Sequence, residues 1–263
     1  LWLLGYPDQA KKTLDEALAL ARAANDPKGL AFVMVKAVLL YQYCHEPQKS
    51  EEWAEKCLEH CDQHGIVQER LWSKSLAGWS VAAQGRVEQG LAWMRESIEA
   101  YSHLRTELSL SHYQTLLADV LGFTGKAAEG LTVIAEALDT VRRTCDLHNE
   151  AETQRIKGEL LLRQALITDN GNITDTGDRP ALAAEGPVCE EAESCFRQAI
   201  ELARKQGAKS LELRAATSLS LLWLQQGRRA EARELISPVY QWFTEGFDTA
   251  DLKEAKALLS GLS

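Results

Sequence analysis

Turn signals recur at a spacing of 40 residues in the stretches LLGYPDQA, QYCHEPQKS, AAQGRVEQG and GFTGKAAEG. Their central residues are Gly5, His45, Gly85 and Gly125, and a fifth turn of the same kind, QQGRRAEA, centres on Gly227. Glycine suits such turns because it adopts backbone conformations that bulkier residues resist. Self-similarity at a fixed period indicates a repeat architecture, in which one structural unit stacks on the next.

Small residues at fixed distances from each turn predict closely packed helices. They lie five residues after the turn (Ala10, Ser50, Gly90, Gly130, Ala232), seven further on (Ala17, Cys57, Ser97, Ala137, Val239) and seven before it (Val38, Gly78, Ala118, Ser220). Small side chains allow paired helices to approach each other. Apolar residues between these positions follow helical spacing, as in Leu14, Leu18 and Ala21, whereas alternating β-strand patterns are absent. Each unit is therefore predicted to be an antiparallel pair of helices.

The stretch ITDNGNITDTGDRPALAAEGP, residues 167–187, interrupts this rhythm. Small residues of the following helix appear at Ala192 and Ala199, which is 22 residues late, and subtracting 22 from Gly227 restores the spacing of 40. Asp, Asn, Gly and Thr followed by Pro180 are typical of a loop. The sequence predicts a loop insertion at about 166–187, between the two helices of one pair, rather than a new domain.

The predicted fold is an all-α superhelix, an α-α solenoid of about six helix pairs that forms a single domain over residues 1–263. Its first repeat is truncated, since the chain opens in the middle of a helical pattern. A capping helix is expected at about 249–260, after a break at Gly246. Asp248 or Thr249 would cap this helix, and Leu252, Ala255 and Leu259 would be buried.

Paired helices with small residues at these offsets resemble the tetratricopeptide (TPR) repeat. The unit is longer than the usual TPR unit of about 34 residues, and Met34, Lys74, Gln114, Gln154 and Ala216 stand where that repeat commonly has Trp. Residues 192–259 are similar to the C-terminal region of large bacterial signalling proteins that combine a nucleotide-cyclase or DNA-binding domain with a STAND-type ATPase. The resemblance implies a sensor or scaffold region whose catalytic parts lie elsewhere.

Charge and composition argue against several classes of function. The chain has 29 Lys and Arg against 38 Asp and Glu, a net charge of -9, and no basic block, so we expect no direct binding of nucleic acid. No apolar run reaches the length of a membrane span. Six cysteines without regular spacing do not form a disulfide framework. We expect a cytoplasmic protein that does not enter a membrane.

Motifs with chemistry are weak. The turn at Gly125 and Lys126 lacks the remaining residues of a phosphate-binding loop. One helical face carries Cys57, His60, Cys61 and His64, of which two or three could share a metal, although Cys57 also fills a small-residue packing position. Asp169, Asp175 and Asp178 match a calcium loop poorly. Since no activated nucleophile or general base is recognisable, we predict no catalytic, cofactor or metal site.

Residues thirteen, ten and six before each turn share one face of the first helix of each pair, and this face is predicted to line a concave groove. In the first unit they are Phe32, Val35 and Leu39. The candidate binding residues in the later units are Trp72, Trp79, His112, Asp119, Glu152, Arg155, Glu159 and Arg214.

Two functions are consistent with a concave groove lined by these residues. The first is a non-catalytic protein-interaction or scaffold domain that binds a protein or peptide partner, or other domains of its own chain. The alternative is a sensor that binds a small molecule or peptide in the concave groove. Aromatic anchors beside a few fixed charges suit either use.

Overall fold

A computed structural model describes residues 1–101, 107, 109–170 and 186–262, without the side chains of 167–170. The described part of the chain contains twelve α-helices, and a short 3₁₀ turn at Leu147–Asn149 precedes α8. The helices are α1 (Pro7–Ala23), α2 (Pro27–Tyr43), α3 (Pro47–His64), α4 (Val67–Ala83), α5 (Val87–Tyr101), α6 (Leu110–Phe123), α7 (Ala127–Thr144), α8 (Glu150–Asn170), α9 (Pro187–Gln206), α10 (Lys209–Gln225), α11 (Arg229–Gln241) and α12 (Ala250–Gly261).

Successive helices pack as antiparallel pairs in two layers. Helices α2, α4, α6, α8, α10 and α12 each contact the next one of this series and form the inner layer, while α3, α5, α7, α9 and α11 each pack outside their own inner helix. The predicted all-α solenoid of helix pairs is confirmed. The last inner helix, α12, packs against α10 and α11.

The predicted turns have the expected backbone. All five centres have positive φ: Gly5 (93°), His45 (55°), Gly85 (89°), Gly125 (79°) and Gly227 (76°). A second set of positive-φ residues, Asn25, Gly65, Cys145 and Gly207, joins one pair to the next, and the first two are again 40 apart. The period of 40 is hard to see in this second set because Asn25 and Cys145 stand where Gly65 and Gly207 have glycine.

The small residues allow close contact between the layers, as predicted. A Cβ placed on Gly90 of α5 would lie 2.4 Å from the carbonyl oxygen of Gly78 on α4. The side chains of Cys57, Ser97 and Ala137 at the next small-residue position are each 0% exposed. Such contact between helix backbones requires the side chain to be small or absent at the crossing point.

The predicted insertion, at about residues 166–187, begins within the last turns of helix α8. Helix α8 continues to Asn170, and α9 begins at Pro187. The two helices pack against each other as a pair, as the period of 40 predicts when the extra 22 residues are removed. Residues 171–185, which include the candidate calcium-binding aspartates Asp175 and Asp178, lie outside the described residues.

The stack curves until its two ends meet. The Ser210 hydroxyl on α10 donates a hydrogen bond to the carbonyl oxygen of Trp2 at 2.6 Å, and the Ser210 N–H donates to that of Leu3 at 3.2 Å. The N–H of Gly246 donates to the Asp8 carboxylate at 3.0 Å. We call this junction, between residues 1–9 on one side and residues 209–251 on the other, the end-to-end contact.

Gly246 offers a test of the end-to-end contact. Its φ is +75°, and a Cβ placed there would lie 2.1 Å from Cγ of Pro7, whereas Gly227 has φ of +76° and nothing within 4 Å. Both Gly→Ala changes carry the cost of positive φ, but only Gly246→Ala adds a clash. We expect Gly246→Ala to lower the free energy of unfolding by about 1–2 kcal/mol more than Gly227→Ala, measured by urea denaturation. Equal losses would mean that the ends do not meet in solution.

Candidate functional site

The eight predicted binding residues lie on the inner helices and face the interior of the superhelix or its core. Trp72 and Trp79 are on α4, His112 and Asp119 on α6, Glu152, Arg155 and Glu159 on α8, and Arg214 on α10. Five of them are buried, and Asp119, Glu152 and Arg155 are partly buried. Because the two ends meet, this wall is covered rather than open. That these residues bind a ligand stays a prediction.

Arg214 lies in the interior of the superhelix and contacts several of the inner helices. Its guanidinium donates to the carbonyl oxygen of Tyr43 at 2.5 Å, to both carboxylate oxygens of Asp251 at 3.1 Å, and to Glu152 at 3.4 Å. Its face lies 4.7 Å from the ring centroid of Trp2. One side chain on α10 thus connects α2, α8, α12 and the N-terminal segment.

A second guanidinium neutralises the carboxylates of α8. Arg155 donates to Glu152 at 2.7 and 3.0 Å and lies 3.8 Å from Glu159, whose carboxylate accepts a hydrogen bond from Ser218 at 2.7 Å. Burial raises the pKa of Glu152, but Arg155 and Arg214 outweigh it and hold that pKa at about 2. Glu152 therefore remains ionised and keeps both cations in place.

The negative charge of Asp119 is less fully balanced by nearby cations than that of Glu152. Its carboxylate lies 3.9 Å from the Arg163 guanidinium. Burial raises its pKa above the ordinary value, and the positive charges of Arg163 and Arg155 reduce this shift without cancelling it. The interior thus holds one carboxylate that takes up a proton more readily than an exposed aspartate.

Among the described residues, two small cavities lie beside Arg214 in the interior. One of about 50 Å³ is lined by Arg155, Thr217 and Asp251, and one of about 20 Å³ is lined by His112 and Glu152. Thr217 Oγ1 and His112 Nε2 are buried and have no hydrogen-bond partner among the described residues. Since one water requires about 10–15 Å³ of such space, each of these two cavities accommodates only one or a few water-sized molecules.

The two tryptophans have different surroundings. Trp79 stacks on His45, with ring centroids 5.9 Å apart, and His45 lines both cavities. Both tryptophans belong to one hydrophobic core cluster with Tyr101 and Tyr113, but Trp72 makes no ring contact with His45. Trp79 is thus connected to the interior site, and Trp72 is a packing residue in this conformation.

Tyr43, His45 and Asp251 are parts of the interior that the spacing of residues before each turn does not predict. Tyr43 is 171 residues from Arg214, and Asp251 is 37 residues from it. No local pattern could have revealed the first pair, because it depends on the superhelix closing on itself. Asp251 lies in the first turn of the last helix, which begins at Ala250 with Thr249 at its N-cap position.

The possible metal ligands on α3 face different environments. Cys57 and Cys61 are buried with their sulfurs 3.9 Å apart, and the Cys57 thiol donates to the carbonyl oxygen of Ala31. Nε2 of His60 lies 2.8 Å from the carbonyl oxygen of Pro27. Across the described ranges, no group of three or more His, Cys, Asp or Glu side chains could hold a metal ion.

Among the described helices, none is long and apolar enough to cross a membrane.

A large apolar groove lies at the N-terminal end, between residues 1–3, α1 and α2. Its volume is about 430 Å³, and its lining includes Leu3, Ala10, Thr13, Leu14, Ala17, Val33, Leu39, Leu40 and Tyr43. Leu1 is 49% exposed and Phe32 43% exposed at its rim. The Lys36 ammonium lies 4.8 Å from the Phe32 ring centroid, and burial lowers the pKa of Lys36. We call this surface the N-terminal groove.

Buried His112 predicts a pH dependence of stability. Burial lowers the pKa of His112 to about 4 from an ordinary value of 6.5, and His148 acts in the same direction. Because the unfolded chain binds this proton more tightly, the stability present above pH 6.5 is lost as the pH falls towards 4. Between pH 6.5 and 4.5 we expect the wild type to lose about 2 kcal/mol more than His112→Gln, measured by urea unfolding. Equal losses would mean that His112 is accessible to protons in the folded state.

Comparisons with known proteins support the fold. No protein-family model and no curated protein matches the chain. Two solved structures from Podosopora anserina are similar, both described as a putative kinesin light chain with nearly identical TPR-like repeats. One of them, a variant with a single substitution, aligns at a TM-score of 0.50 and 16% identity, over 79% of this chain and 92% of that one. The other aligns at 0.50 and 15% identity, over 90% and 98%. At this identity the likeness shows a TPR-like fold and nothing finer.

Proposed function

We propose that this chain is a non-catalytic protein-interaction domain, the regulatory region of a larger bacterial signalling protein with a STAND-type ATPase. The observation that carries the interaction function is the N-terminal groove. It combines about 430 Å³ of apolar volume with exposed Leu1 and Phe32 at its rim. Contiguous apolar surface of this kind marks a site of interaction, with a partner protein or with another part of the same chain. The resemblance of residues 192–259 supports the signalling context.

The interior of the superhelix supports a scaffold rather than a peptide channel. Arg214 bridges the inner helices, and the two cavities beside it, among the described residues, measure about 50 and 20 Å³. A peptide that enters the interior would have to break ion pairs that the protein already makes. Breaking a buried ion pair is strongly destabilising, because it leaves a buried charge without its partner. A partner protein reaches the outer surface and the N-terminal groove without disturbing them.

Capture of proteins from a bacterial lysate by the immobilised chain tests this function. Phe32→Asp places a charge in the N-terminal groove, and Phe123→Asp is the matched control because Phe32 and Phe123 are 43% and 44% exposed. We expect proteins that are retained by the wild type and by Phe123→Asp but not by Phe32→Asp, identified by mass spectrometry. Retention of no protein by the wild type would contradict an interaction domain.

A ligand-sensing function is the second candidate, and three unpartnered polar atoms beside the interior cavities favour it, the third being Gln42 Oε1. Thr217 Oγ1 and His112 Nε2 are buried beside the interior cavities, without a hydrogen-bond partner among the described residues. Burying a polar group without a partner costs free energy, so a small polar ligand that supplies hydrogen bonds would stabilise the closed form. A ligand of a few hundred daltons would require the ends to separate first.

Native mass spectrometry after incubation with lysate separates this candidate from the first. A retained small molecule that is lost in Thr217→Val with His112→Gln would support a sensor. Thr217→Val removes a hydroxyl that makes no hydrogen bond among the described residues, so the fold tolerates it. Substitution of Arg155 is a poor probe, because Arg155 is paired with Glu152 inside the protein. Retention by the double variant would contradict an interior site.

A further inference from the structure

The smaller of the two interior cavities is lined by hydrogen-bond acceptors that lack donors. Gln42 and His112, which are 3% and 4% exposed, both line this cavity of about 20 Å³. Gln42 Oε1 and His112 Nε2 are buried and have no hydrogen-bond partner among the described residues. Because an unpartnered polar atom in the interior costs free energy, a group that donates hydrogen bonds to both atoms would be stabilised there.

The other nitrogen of the His112 ring determines what Nε2 can do. Nδ1 lies 3.3 Å from Oδ1 of Asn149, whose Nδ2 donates to Thr153 at 3.5 Å. Since an amide oxygen can only accept, Nδ1 carries the hydrogen and Nε2 carries the lone pair. Burial lowers the pKa of His112 to about 4, so the ring is uncharged at pH 7. The cavity therefore presents an imidazole lone pair together with an amide oxygen.

A carboxylate with weak compensation completes the set of acceptors. Asp119 lies two turns after His112 on α6 and lines the same cavity. Its Oδ1 is 3.9 Å from Nη1 of Arg163, and this Nη1 makes no hydrogen bond among the described residues. Glu152 also lines the cavity and is ionised at pH 7, since its pKa is about 2. These charges favour a cation as the occupant of the cavity.

Size and hydrogen-bonding capacity narrow the choice of cation. Arg214 lines the cavity too, but its guanidinium is already bound to Asp251 and Glu152. One water requires about 10–15 Å³, so the cavity admits a group of one or two non-hydrogen atoms. Water brings no charge, and K⁺ brings no hydrogen to donate. A protonated amine brings a charge and several donors and accepts no hydrogen bond, as the lysine ammonium group does.

We propose that this cavity binds a protonated amine of the size of ammonium or methylammonium, which donates hydrogen bonds to Gln42 Oε1, His112 Nε2 and the Asp119 carboxylate. The inference rests on the ligand-sensing candidate and names the chemistry of its ligand. The three acceptors lie on α2 and α6, which are separated by α4 in the inner layer. A bound amine would thus connect units that are not neighbours in the stack, and it would favour the closed form of the superhelix.

Urea unfolding in NH₄Cl and in KCl, at pH 7 and equal ionic strength, tests the site. K⁺ is the matched control, because it is similar to ammonium in size and charge but has no hydrogen to donate. We expect the unfolding equilibrium constant of the wild type to fall as ammonium replaces K⁺, by about tenfold at ten times the Kd. Tetramethylammonium chloride, which has no N–H group, should act as KCl does. Equal stability in ammonium and K⁺ would overturn the proposal.

Substitutions in the lining assign the effect to this cavity. Asp119→Asn removes the charge, and Gln42→Met removes an acceptor without emptying its place, so each should weaken ammonium binding at least about tenfold. Asp139→Asn is the control and should respond like the wild type, because the Asp139 side chain is 67% exposed and lies on α7. Each variant in NH₄Cl is compared with the same variant in KCl, which separates loss of the ligand from loss of stability. An ammonium effect that persists in both interior variants would overturn the proposal.

Failure of this inference is distinguishable from failure of the proposed functions. If ammonium has no specific effect, but native mass spectrometry finds a small molecule that is lost in Thr217→Val with His112→Gln, the inference is overturned and the sensor remains. Capture of proteins from lysate, which tests the interaction domain, does not depend on the occupant of this cavity.

Discussion

Arg214→Ala lowers the free energy of unfolding by about 3–5 kcal/mol. Its side chain is 6% exposed and pairs with Asp251 and Glu152, whose carboxylates are 11% and 13% exposed. Removal of the guanidinium leaves both carboxylates buried with less compensation, and this uncompensated charge is the main cost. The lost hydrogen bond to the Tyr43 carbonyl and the lost contact with the Trp2 ring add to it. Urea denaturation at pH 7 measures the change.

The control is Arg142→Ala. Arg142 is 72% exposed, and its partner Asp139 is three residues away on the same helix at 3.4 Å. Because an exposed pair contributes about 0–1 kcal/mol, this variant should remain close to the wild type. If both variants lose the same free energy, Arg214 is solvated and the interior is open.

Arg214→Ala should also release the end-to-end contact. Ser210 and Arg214 hold the N-terminal segment from the same helix, Ser210 through hydrogen bonds to the carbonyl oxygens of Trp2 and Leu3 and Arg214 through its contact with the ring of Trp2. We expect the backbone amides of residues 3–6 to exchange with solvent at least about tenfold faster in the variant, while those of α6 keep their protection. Unchanged exchange in residues 3–6 would mean that Arg214 stabilises the inner helices without closing the stack.

Local features of the sequence were sufficient for the helices and their pairing. Gly85 and Gly125 mark turns because a positive φ favours glycine, and Gly78 and Gly90 mark a crossing because a side chain would not fit there. Both signals act within one unit and repeat every 40 residues. The period therefore predicts the fold, including the pairing of α8 with α9 across the insertion.

The functional surfaces were not predictable in the same way. The face that carries His112 and Glu152 does lie on the inner helices, but its closure depends on the accumulated curvature of all the units. A small change in the angle between units moves Arg214 away from Tyr43, and no residue pattern encodes that angle. The N-terminal groove was not predictable for a different reason, since the spacing of Phe32 and Leu39 places them on the same helix face as the wall residues of all the later units.

Phe196→Ala is the second variant with a large expected effect, and we expect a loss of about 3–5 kcal/mol in the free energy of unfolding. Phe196 on α9 is 0% exposed, and three of its ring carbons lie within 2.9 Å of where a Cβ on Gly158 would be. The ring fills the space that glycine leaves on α8. Phe123→Ala is the control, because Phe123 is 44% exposed and its loss should cost less than about 1 kcal/mol.

Because the Phe196 ring fills the space beside Gly158, substitutions at the two positions should be energetically coupled. Gly158→Ala alone should destabilise, because overpacking against the ring costs about 1–3 kcal/mol and the helix preference of Ala returns only about 1 kcal/mol. In a Phe196→Leu background the same Gly158→Ala change should become neutral or stabilising, since the smaller side chain leaves room for the methyl group. A double-mutant cycle in urea should therefore give a coupling of at least about 1 kcal/mol. Additive effects would show that α8 and α9 do not cross at Gly158, and the alignment of the units across the insertion would then be wrong.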